Sequence, residues 1–202
     1  MNIIEVFKSN DYDASIVVSD LNNLSDVIND AVLYCNSLLS ERPEIMIYGK
    51  ICHQHRNIGF FSNDVPFYKY SGKSVNSIPL NNSLLYLLNF INDNFDTNFN
   101  AILVNKYCDG NDYIGAHTDN EKDINTDNGV ISISYGASRK FRIRNKQTKK
   151  IVFDIDTLHN YLLCMKGNDF QNKFTHEIPL QKKLKNHDIH LLLGNILFNY
   201  YF

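Results

Sequence analysis

The chain has 202 residues, of which 44% are hydrophobic, enough for one well-filled core and short for two. Its formal net charge is −2, so any contact with nucleic acid must come from a local basic patch. The N-terminus shows no basic stretch leading into a long apolar run, and no apolar segment is long enough to span a bilayer. We therefore expect an intracellular protein, cytoplasmic or nuclear, that is neither secreted nor inserted in a membrane.

The first half of the chain predicts two amphipathic helices. Apolar residues recur at helical spacing over Leu24–Leu39, with Asn23 or Ser25 as candidate N-caps, and again over Ser83–Phe95. The cysteines show no C-x-x-C pair, so we expect free thiols at Cys35, Cys52, Cys108 and Cys164. Cys52 stands beside His53 and His55, but that spacing matches no common structural zinc pattern.

After Phe99 the hydrophobic period changes to two, which indicates short strands. β-Branched and aromatic runs alternate with Gly, Asn and Asp in the segments NAILVNKY, VISISYG, KFRIRNK, IVFDID, YLLCM and FTHEIPL. Many short strands at regular spacing favour a sandwich or a small barrel. We predict a mainly β fold, a jelly roll with the helices packed outside it.

Three polar residues within this β-rich region form a candidate metal site. The pair His117-x-Asp119 would point its two side chains to one side of a strand, because side chains alternate. His176 lies far downstream in an otherwise apolar strand, and a jelly roll brings distant strands side by side. Two histidines and one carboxylate are the facial triad of non-haem Fe(II) oxygenases. A polar turn and a satisfied core histidine are the alternatives.

The order of motifs from about Ile47 to Lys183 resembles the AlkB-like 2-oxoglutarate/Fe(II) dioxygenases, particularly those that repair N-methylated bases. The matching motifs are Asn105-Lys106-Tyr107, Asp109-Gly110, Asp112-Tyr113-Ile114, His117-Thr118-Asp119-Asn120-Glu121, Ile133-Ser134-Tyr135-Gly136-Ala137, Arg139-x-Phe141 and His176-x-x-Pro179. The resemblance implies a cupin-like double-stranded β-helix in a single domain, 1–202. It implies a helical part at about 1–45, a nucleotide-recognition lid with its supporting helix at about 46–95, and a jelly-roll core at about 99–195.

The same resemblance assigns roles to the iron and co-substrate residues. It makes His117, Asp119 and His176 the catalytic iron ligands, and it implies Fe(II), O₂ and the co-substrate 2-oxoglutarate. Asn105 and Tyr107 match the family's Asn-x-Tyr, whose side chains hydrogen-bond 2-oxoglutarate.

The resemblance also implies a set of substrate contacts. Tyr68, Tyr70 and Ser71 match the lid, where an aromatic residue at the position of Tyr70 stacks on a flipped base. Glu121 matches an acidic residue that accepts hydrogen bonds from an exocyclic amino group. Separately, alternation in the segment Arg139–Lys150 turns Arg142 and Arg144 outward, where they can neutralise phosphates; a solvated strand edge is the alternative.

The implied function is oxidative removal of N-methyl lesions, of the 1-methyladenine or 3-methylcytosine type, from DNA or RNA. Methylated nucleic acid is the expected partner, and we expect a monomer. Two alternatives stay open: a catalytically impaired remnant of such an enzyme, and a 2-oxoglutarate oxygenase that modifies protein side chains.

The C-terminal segment departs from the family pattern. Family members end their core with a strand of the form R-x-[SN]-x-T-F-R, whose arginines hold the carboxylate of 2-oxoglutarate with bidentate hydrogen bonds. The corresponding positions here are Asp188 and Gly194. Neither can bind a carboxylate in this way, and Asp188 would repel one.

A one-base deletion accounts for this departure, and the coding DNA tests it. In A/T-rich codons, loss of the first base of the arginine codon after His187 converts H-R-Y-S-F-T-F-R-K-Y-S-I into the observed H-D-I-H-L-L-L-G-N-I-L-F. This hypothesis predicts the codon TTA at both Leu191 and Leu193. Sequencing the coding DNA checks it, and any other codon at either position excludes the deletion.

Overall fold

The computed structural model describes residues 1–47, 49–70, 73–120, 124–125 and 128–196. A short 3₁₀ turn, Asn22–Leu24, precedes the first of three helices, which are α1 (Ser25–Asn36), α2 (Asn82–Phe95) and α3 (Phe170–Lys173). The strands in chain order are β1 (Ile4–Lys8), β2 (Ser15–Asp20), β3 (Glu44–Ile47), β4 (Lys50–His53), β5 (Asn57–Phe61), β6 (Phe67–Tyr70), β7 (Lys73–Asn76), β8 (Ala101–Tyr107), β9 (Ile114–His117), β10 (Ile124–Asn125), β11 (Val130–Gly136), β12 (Arg139–Asn145), β13 (Ile151–Thr157), β14 (Tyr161–Lys166), β15 (Phe174–Ile178) and β16 (Asp188–Ile196).

Two antiparallel sheets form the core of the molecule. The larger sheet has the order β1-β2-β14-β11-β16-β8-β5, with β10 paired to β16, and the smaller has the order β13-β12-β15-β9. The hairpins β3-β4 and β6-β7 lie outside both sheets. This arrangement is the predicted jelly roll with flanking helices.

Each face of the larger sheet is covered by a different layer. One hydrophobic cluster joins α1 and α2 to the larger sheet, for instance through Ile28, Leu87 and Leu191. A second cluster fills the space between the two sheets and includes Phe141, Leu163 and Met165. Period-two alternation along the strands supplies both clusters, because neighbouring residues point to opposite faces. None of the described helices is long and apolar enough to cross a membrane.

The predicted elements from 83 onward are confirmed with small shifts in their bounds. The predicted helix Ser83–Phe95 begins at Asn82, because the side chain of Asn81 accepts a hydrogen bond from the backbone N–H of Leu84 and caps it. The predicted caps of α1 are wrong, since Leu24 occupies its N-cap without a side-chain hydrogen bond. All four cysteines are free, as expected.

The N-terminal part contributes more than a helix. β1 and β2 precede α1, and β2 pairs along its whole length with β14 of the jelly roll. The residues before α1 therefore extend the larger sheet, which the resemblance did not imply. The proposed domain boundaries stay a prediction.

The last strand is an interior strand. β16 pairs with β11 on one side and β8 on the other. Its side chains alternate, so that Ile189, Leu191 and Leu193 face the helices. The unusual C-terminal segment thus supplies the centre of the larger sheet.

Replacing Leu191 with alanine is expected to destabilise the protein. Leu191 is fully buried, and truncating such a side chain costs about 2–5 kcal/mol through lost burial and a residual cavity. Leu192, only half-buried, turns to the other face and serves as the matched control, with a smaller cost for Leu192→Ala. Urea denaturation measures both free energies of unfolding. Equal losses for the two variants would contradict the interior placement of β16.

Candidate active site

Three side chains converge at the edge where the two sheets meet. Pairing of β9 with β15 sets His117 opposite His176, with ring centroids 4.2 Å apart. Asp119 Oδ2 lies 3.3 Å from His176 Nε2, and Asp119 Oδ1 lies 3.6 Å from His117 Nε2. One potential ligand atom from each residue falls within 4.8 Å of the others. A jelly roll thus brings together the three residues that the sequence singled out.

The sequence predicted Asp119 on the same strand as His117, and this prediction is wrong. β9 ends at His117, and Asp119 follows in the next turn. A different contact positions it: its backbone N–H donates to the side-chain oxygen of Gln171, which precedes β15, at 2.9 Å. The chain turns after His117 and directs the carboxylate back toward both imidazoles.

The protonation state of the cluster suits a cation. His117 Nδ1 lies 2.9 Å from the carbonyl oxygen of Gly115. A carbonyl only accepts, so Nδ1 carries the proton and Nε2 presents its lone pair to the cluster. Burial and the neighbouring His176 lower the pKa of His117 to about 4. Burial would raise the pKa of Asp119, but the adjacent His176 and His117 hold it at about 2.

An incompletely satisfied carboxylate supports a metal ion at this position. Asp119 Oδ2 is buried, and although it lies 3.3 Å from His176 Nε2, it makes no well-formed hydrogen bond within the described part of the chain. Buried polar atoms without partners are rare in folded proteins, and a carboxylate oxygen beside two imidazoles is a hard-to-borderline donor set. The residues present fit a divalent transition metal of the Fe(II) type.

An apolar cavity lies on one side of the three ligands. Phe60, Tyr68, Leu103 and Ile124 line it, and Asp119 forms part of its polar wall. Tyr68 is buried and stacks on Phe60 with ring centroids 5.4 Å apart. The predicted lid residue Tyr68 therefore borders the same space as a metal ligand. Gly194 also lines this cavity, and a Cβ added there would meet nothing within 4 Å.

A second, more enclosed cavity, the deeper cavity, lies between the two sheets. His117 and His176 border it together with Asn105 and Tyr107, the residues of the Asn-x-Tyr motif. The alternation of β8 turns both of them to the same face, as the sequence predicted. The side-chain oxygen of Asn105 accepts a hydrogen bond from buried Arg56 at 2.8 Å.

Behind the deeper cavity, Asp188 is bound from both sides. Its Oδ1 accepts from Arg139 Nε at 2.5 Å, and its Oδ2 lies 2.9 Å from His190 Nε2. Arg139 is fully buried and also donates to the carbonyl oxygens of Asp112 and Asp109. His190 lines the cavity, whereas the described lining includes neither lysine nor arginine. The site therefore fits the metal, whereas the position at which the family pattern places an arginine for the distal carboxylate of 2-oxoglutarate holds Asp188.

Several predicted substrate contacts cannot be located. Ser71, Glu121 and the side chain of Tyr70 lie outside the described residues. The backbone of Tyr70 ends β6, which forms a hairpin with β7 as a lid would. Their roles stay predictions.

The basic strand β12 is neither an edge nor an unpaired patch. It lies between β13 and β15, so the strand-edge alternative is wrong. Arg142 makes a two-point ion pair with Asp154, at 2.8 and 2.9 Å, and Arg144 pairs with Glu177 at 2.8 Å. This hydrogen bond to Arg142 lowers the pKa of Asp154. Contact of Arg142 and Arg144 with phosphates stays a prediction.

Three residues of the site escaped sequence reasoning as site residues. Gln171 holds the backbone of Asp119, Arg139 neutralises Asp188, and His190 lies beside the deeper cavity. A signal for Arg139 was present, since it falls in the same alternating phase as buried Phe141. A buried arginine requires a buried acceptor, and Asp188 stands in an otherwise apolar strand.

Comparisons with known proteins agree with this geometry. A family model described as the 2OG-Fe(II) oxygenase superfamily matches residues 24–195. The human DNA oxidative demethylase ALKBH2 is 26% identical over 160 residues, which cover 76% of this chain and 61% of that protein. The bovine alpha-ketoglutarate-dependent dioxygenase alkB homolog 3 is 28% identical over 123 residues, which cover 56% of this chain and 42% of that protein. The solved structure of OsALKBH1 shares the fold, with a TM-score of 0.61 at 15% identity, covering 89% of this chain and 97% of that chain.

The chain therefore belongs to the 2OG-Fe(II) oxygenase superfamily. Within that superfamily it is AlkB-like, as its relatives and its His-Asp-His cluster agree. It spans 61% of the length of the human relative and 42% of the bovine one.

Removing one ligand is expected to abolish tight metal binding. His117→Ala takes away one of three donors, so affinity for Mn(II), used as a redox-stable probe, should fall by roughly 100-fold or more. His55→Ala is the matched control, because His55 is exposed and stacks on Tyr113 away from the cluster. Titration of Mn(II) by electron paramagnetic resonance gives both affinities. Unchanged affinity in His117→Ala would exclude the cluster as the metal site.

Proposed function

We propose that this chain is an Fe(II)-dependent oxidative demethylase that uses a 2-oxo acid to remove N-methyl lesions, of the 1-methyladenine or 3-methylcytosine type, from DNA or RNA. The observation that carries the proposal is that the three candidate ligands border two cavities. Asp119 borders the cavity that Phe60 and Tyr68 line, and the two histidines border the deeper cavity together with Asn105 and Tyr107. A metal held by all three residues would be close to both spaces.

The aromatic cavity supports a planar substrate. Tyr68 and Phe60, which stack on each other, give this cavity an aromatic wall against which a base would pack, and base–aromatic stacking contributes about 1–3 kcal/mol for each base. A base must leave its duplex before its methyl group can reach such a recess, since the reactive atom is shielded within the stack. The apolar walls also exclude water from the reacting group. Two relatives that share this family carry the names of a DNA oxidative demethylase and an alkB homolog.

The residues of this chain would position the reactants. His117, held by Gly115, would present its Nε2 lone pair to a bound metal, and Gln171 fixes the turn that carries Asp119. Asn105 and Tyr107 would hydrogen-bond the 2-oxo acid in the deeper cavity. A bound Fe(II) supplies the redox chemistry that activates O₂.

The overall reaction balances. One atom of O₂ enters the carboxylic acid left when the 2-oxo acid loses CO₂, and the other converts N–CH₃ to N–CH₂OH. The four electrons that reduce O₂ come in equal parts from the 2-oxo acid and from the methyl group. The N–CH₂OH product then breaks its C–N bond, releases formaldehyde and leaves the base with its N–H or lone pair restored.

The impaired-remnant alternative is favoured by one observation, the replacement of an arginine position by Asp188. It predicts metal binding without turnover for any 2-oxo acid. No feature of the described residues favours the protein-modifying alternative.

Methyl removal from an oligonucleotide tests the proposal. The protein receives Fe(II), ascorbate, O₂ and single-stranded DNA with one 1-methyladenine or 3-methylcytosine, in separate reactions with 2-oxoglutarate and with pyruvate. Mass spectrometry should show loss of the methyl group and a matching release of formaldehyde. The variant His117→Ala should lose at least about 100-fold of the rate, because it lacks a metal ligand.

Two controls separate the candidates. Omission of every 2-oxo acid should stop the reaction, whereas His55→Ala should leave it unchanged. No methyl loss with either 2-oxo acid, in a protein that binds Mn(II), would reject the demethylase in favour of the impaired remnant.

A further inference from the structure

This chain departs from the family pattern in the residues that would contact the tail of the 2-oxo acid. The reaction consumes only the carboxylate and the oxo group, and the rest of the molecule leaves unchanged as the shorter acid. The tail therefore contributes to binding and not to chemistry. A change in the residues behind the deeper cavity can alter which 2-oxo acid is used without altering the reaction.

Asp188 makes the rear of the deeper cavity unsuitable for a second carboxylate. Its own carboxylate is buried and has its charge balanced by Arg139. A second buried carboxylate here would need a cation of its own, because an unpaired charge in a desolvated site is strongly disfavoured. The described residues that line the cavity include no lysine or arginine. Buried Arg56 stands beside the cavity, and its Nε already donates to the side-chain oxygen of Asn105.

Neutral His190 cannot serve as the hydrogen-bond donor that a second carboxylate would need. A carboxylate only accepts hydrogen bonds, so His190 Nε2 carries the proton that it shares with Asp188 at 2.9 Å. Its Nδ1 is then an acceptor and lies 3.3 Å from the hydroxyl oxygens of Ser132 and Ser134. Both ring nitrogens are occupied, and neutral His190 offers no N–H to a carboxylate tail.

The size of the cavity leads to the same expectation as the charges around it. Its open volume is about 20 Å³, room for about one water molecule. Leu192, Met165 and Ile178 form apolar parts of its wall beside the polar side chains. Any 2-oxo acid must displace side chains to enter so confined a space, and a shorter tail displaces fewer of them than a chain that ends in a carboxylate.

We propose that this chain uses a 2-oxo acid with a short, uncharged tail, of the pyruvate or 2-oxobutyrate type, and that Asp188 is the residue that disfavours 2-oxoglutarate. The inference rests on the proposed function, since it takes a 2-oxo acid as the co-substrate. With pyruvate the products are acetate and CO₂, and the balance of atoms and electrons is otherwise the same. Asp188 acts here as a specificity-determining residue.

Binding to the iron-loaded protein tests the inference without turnover. Under anaerobic conditions, a 2-oxo acid that chelates Fe(II) produces a visible charge-transfer absorption, which titrates with each acid. Pyruvate and 2-oxobutyrate should bind with dissociation constants at least about 10-fold lower than that of 2-oxoglutarate. Equal or tighter binding of 2-oxoglutarate would overturn the inference, and so would the absence of binding by every acid.

Asp188→Asn tests the assignment to this residue. Asparagine keeps an oxygen acceptor for Arg139 but removes the negative charge, so the preference for pyruvate over 2-oxoglutarate should fall by at least about 10-fold. Asp154→Asn is the matched control, because it removes a partly exposed, arginine-paired carboxylate that does not line the cavity. A change in Asp188→Asn no larger than that in the control would overturn the role of Asp188. If Asp188→Asn does not fold, the preference of the unaltered protein decides the inference.

The two proposals fail in different ways. Methyl removal supported only by 2-oxoglutarate would overturn the inference about the tail and leave the demethylase intact. Tight binding of pyruvate without methyl removal from any oligonucleotide would overturn the demethylase and leave the preference intact.

Discussion

A buried ion pair joins the two sheets at the active site. Arg139 lies on the smaller sheet and Asp188 on the larger, and both are shielded from solvent. The guanidinium also binds two carbonyl oxygens in the loop after β8, and it lies over the ring of Tyr107 at 5.0 Å. Burying two charges costs several kcal/mol for each ion, which only well-formed hydrogen bonds offset. Here those bonds connect a strand of each sheet and the loop that leads to His117.

The site is a product of strand pairing. His117 and His176 meet because β9 and β15 pair antiparallel with these two residues in register. Asp119 reaches them from a turn that Gln171 holds, so the third ligand depends on the segment before β15 as well. The two histidines are thus positioned by the smaller sheet, and Asp119 by the short helix that leads into β15. The larger sheet contributes to the walls of both cavities, and the smaller sheet adds Phe141 and Ile178 to the wall of the deeper one.

Period-two patterns were sufficient to predict β8 and β11 to β15, because burial on one face leaves a direct trace in the sequence, whereas the short strands β9 and β10 were not among the predicted segments. The clustering of His117, Asp119 and His176 was also predictable, since few sets of donor residues serve the chemistry of a non-haem iron site. Asp119 was placed on a strand because a turn after His117 leaves no comparable periodic signal. The pairing of Arg142 with Asp154 and of Arg139 with Asp188 was missed for another reason. Such contacts depend on which strands are neighbours, and alternation along one strand carries no information about that.

Asp188 and Gly194, the two positions that depart from the family pattern, differ in how easily each could be replaced by an arginine. At Gly194 an added Cβ meets nothing within 4 Å, so the backbone there would accept a side chain without rearrangement. At Asp188 the situation is the opposite, because an arginine would place a second guanidinium against Arg139 in a desolvated space. Return to an arginine at 188 alone would break the contact that joins the sheets, whereas a change at 194 alone would not. Position 194 can therefore accept an arginine by a single substitution, whereas position 188 cannot. An arginine at 188 first requires another buried acceptor for Arg139.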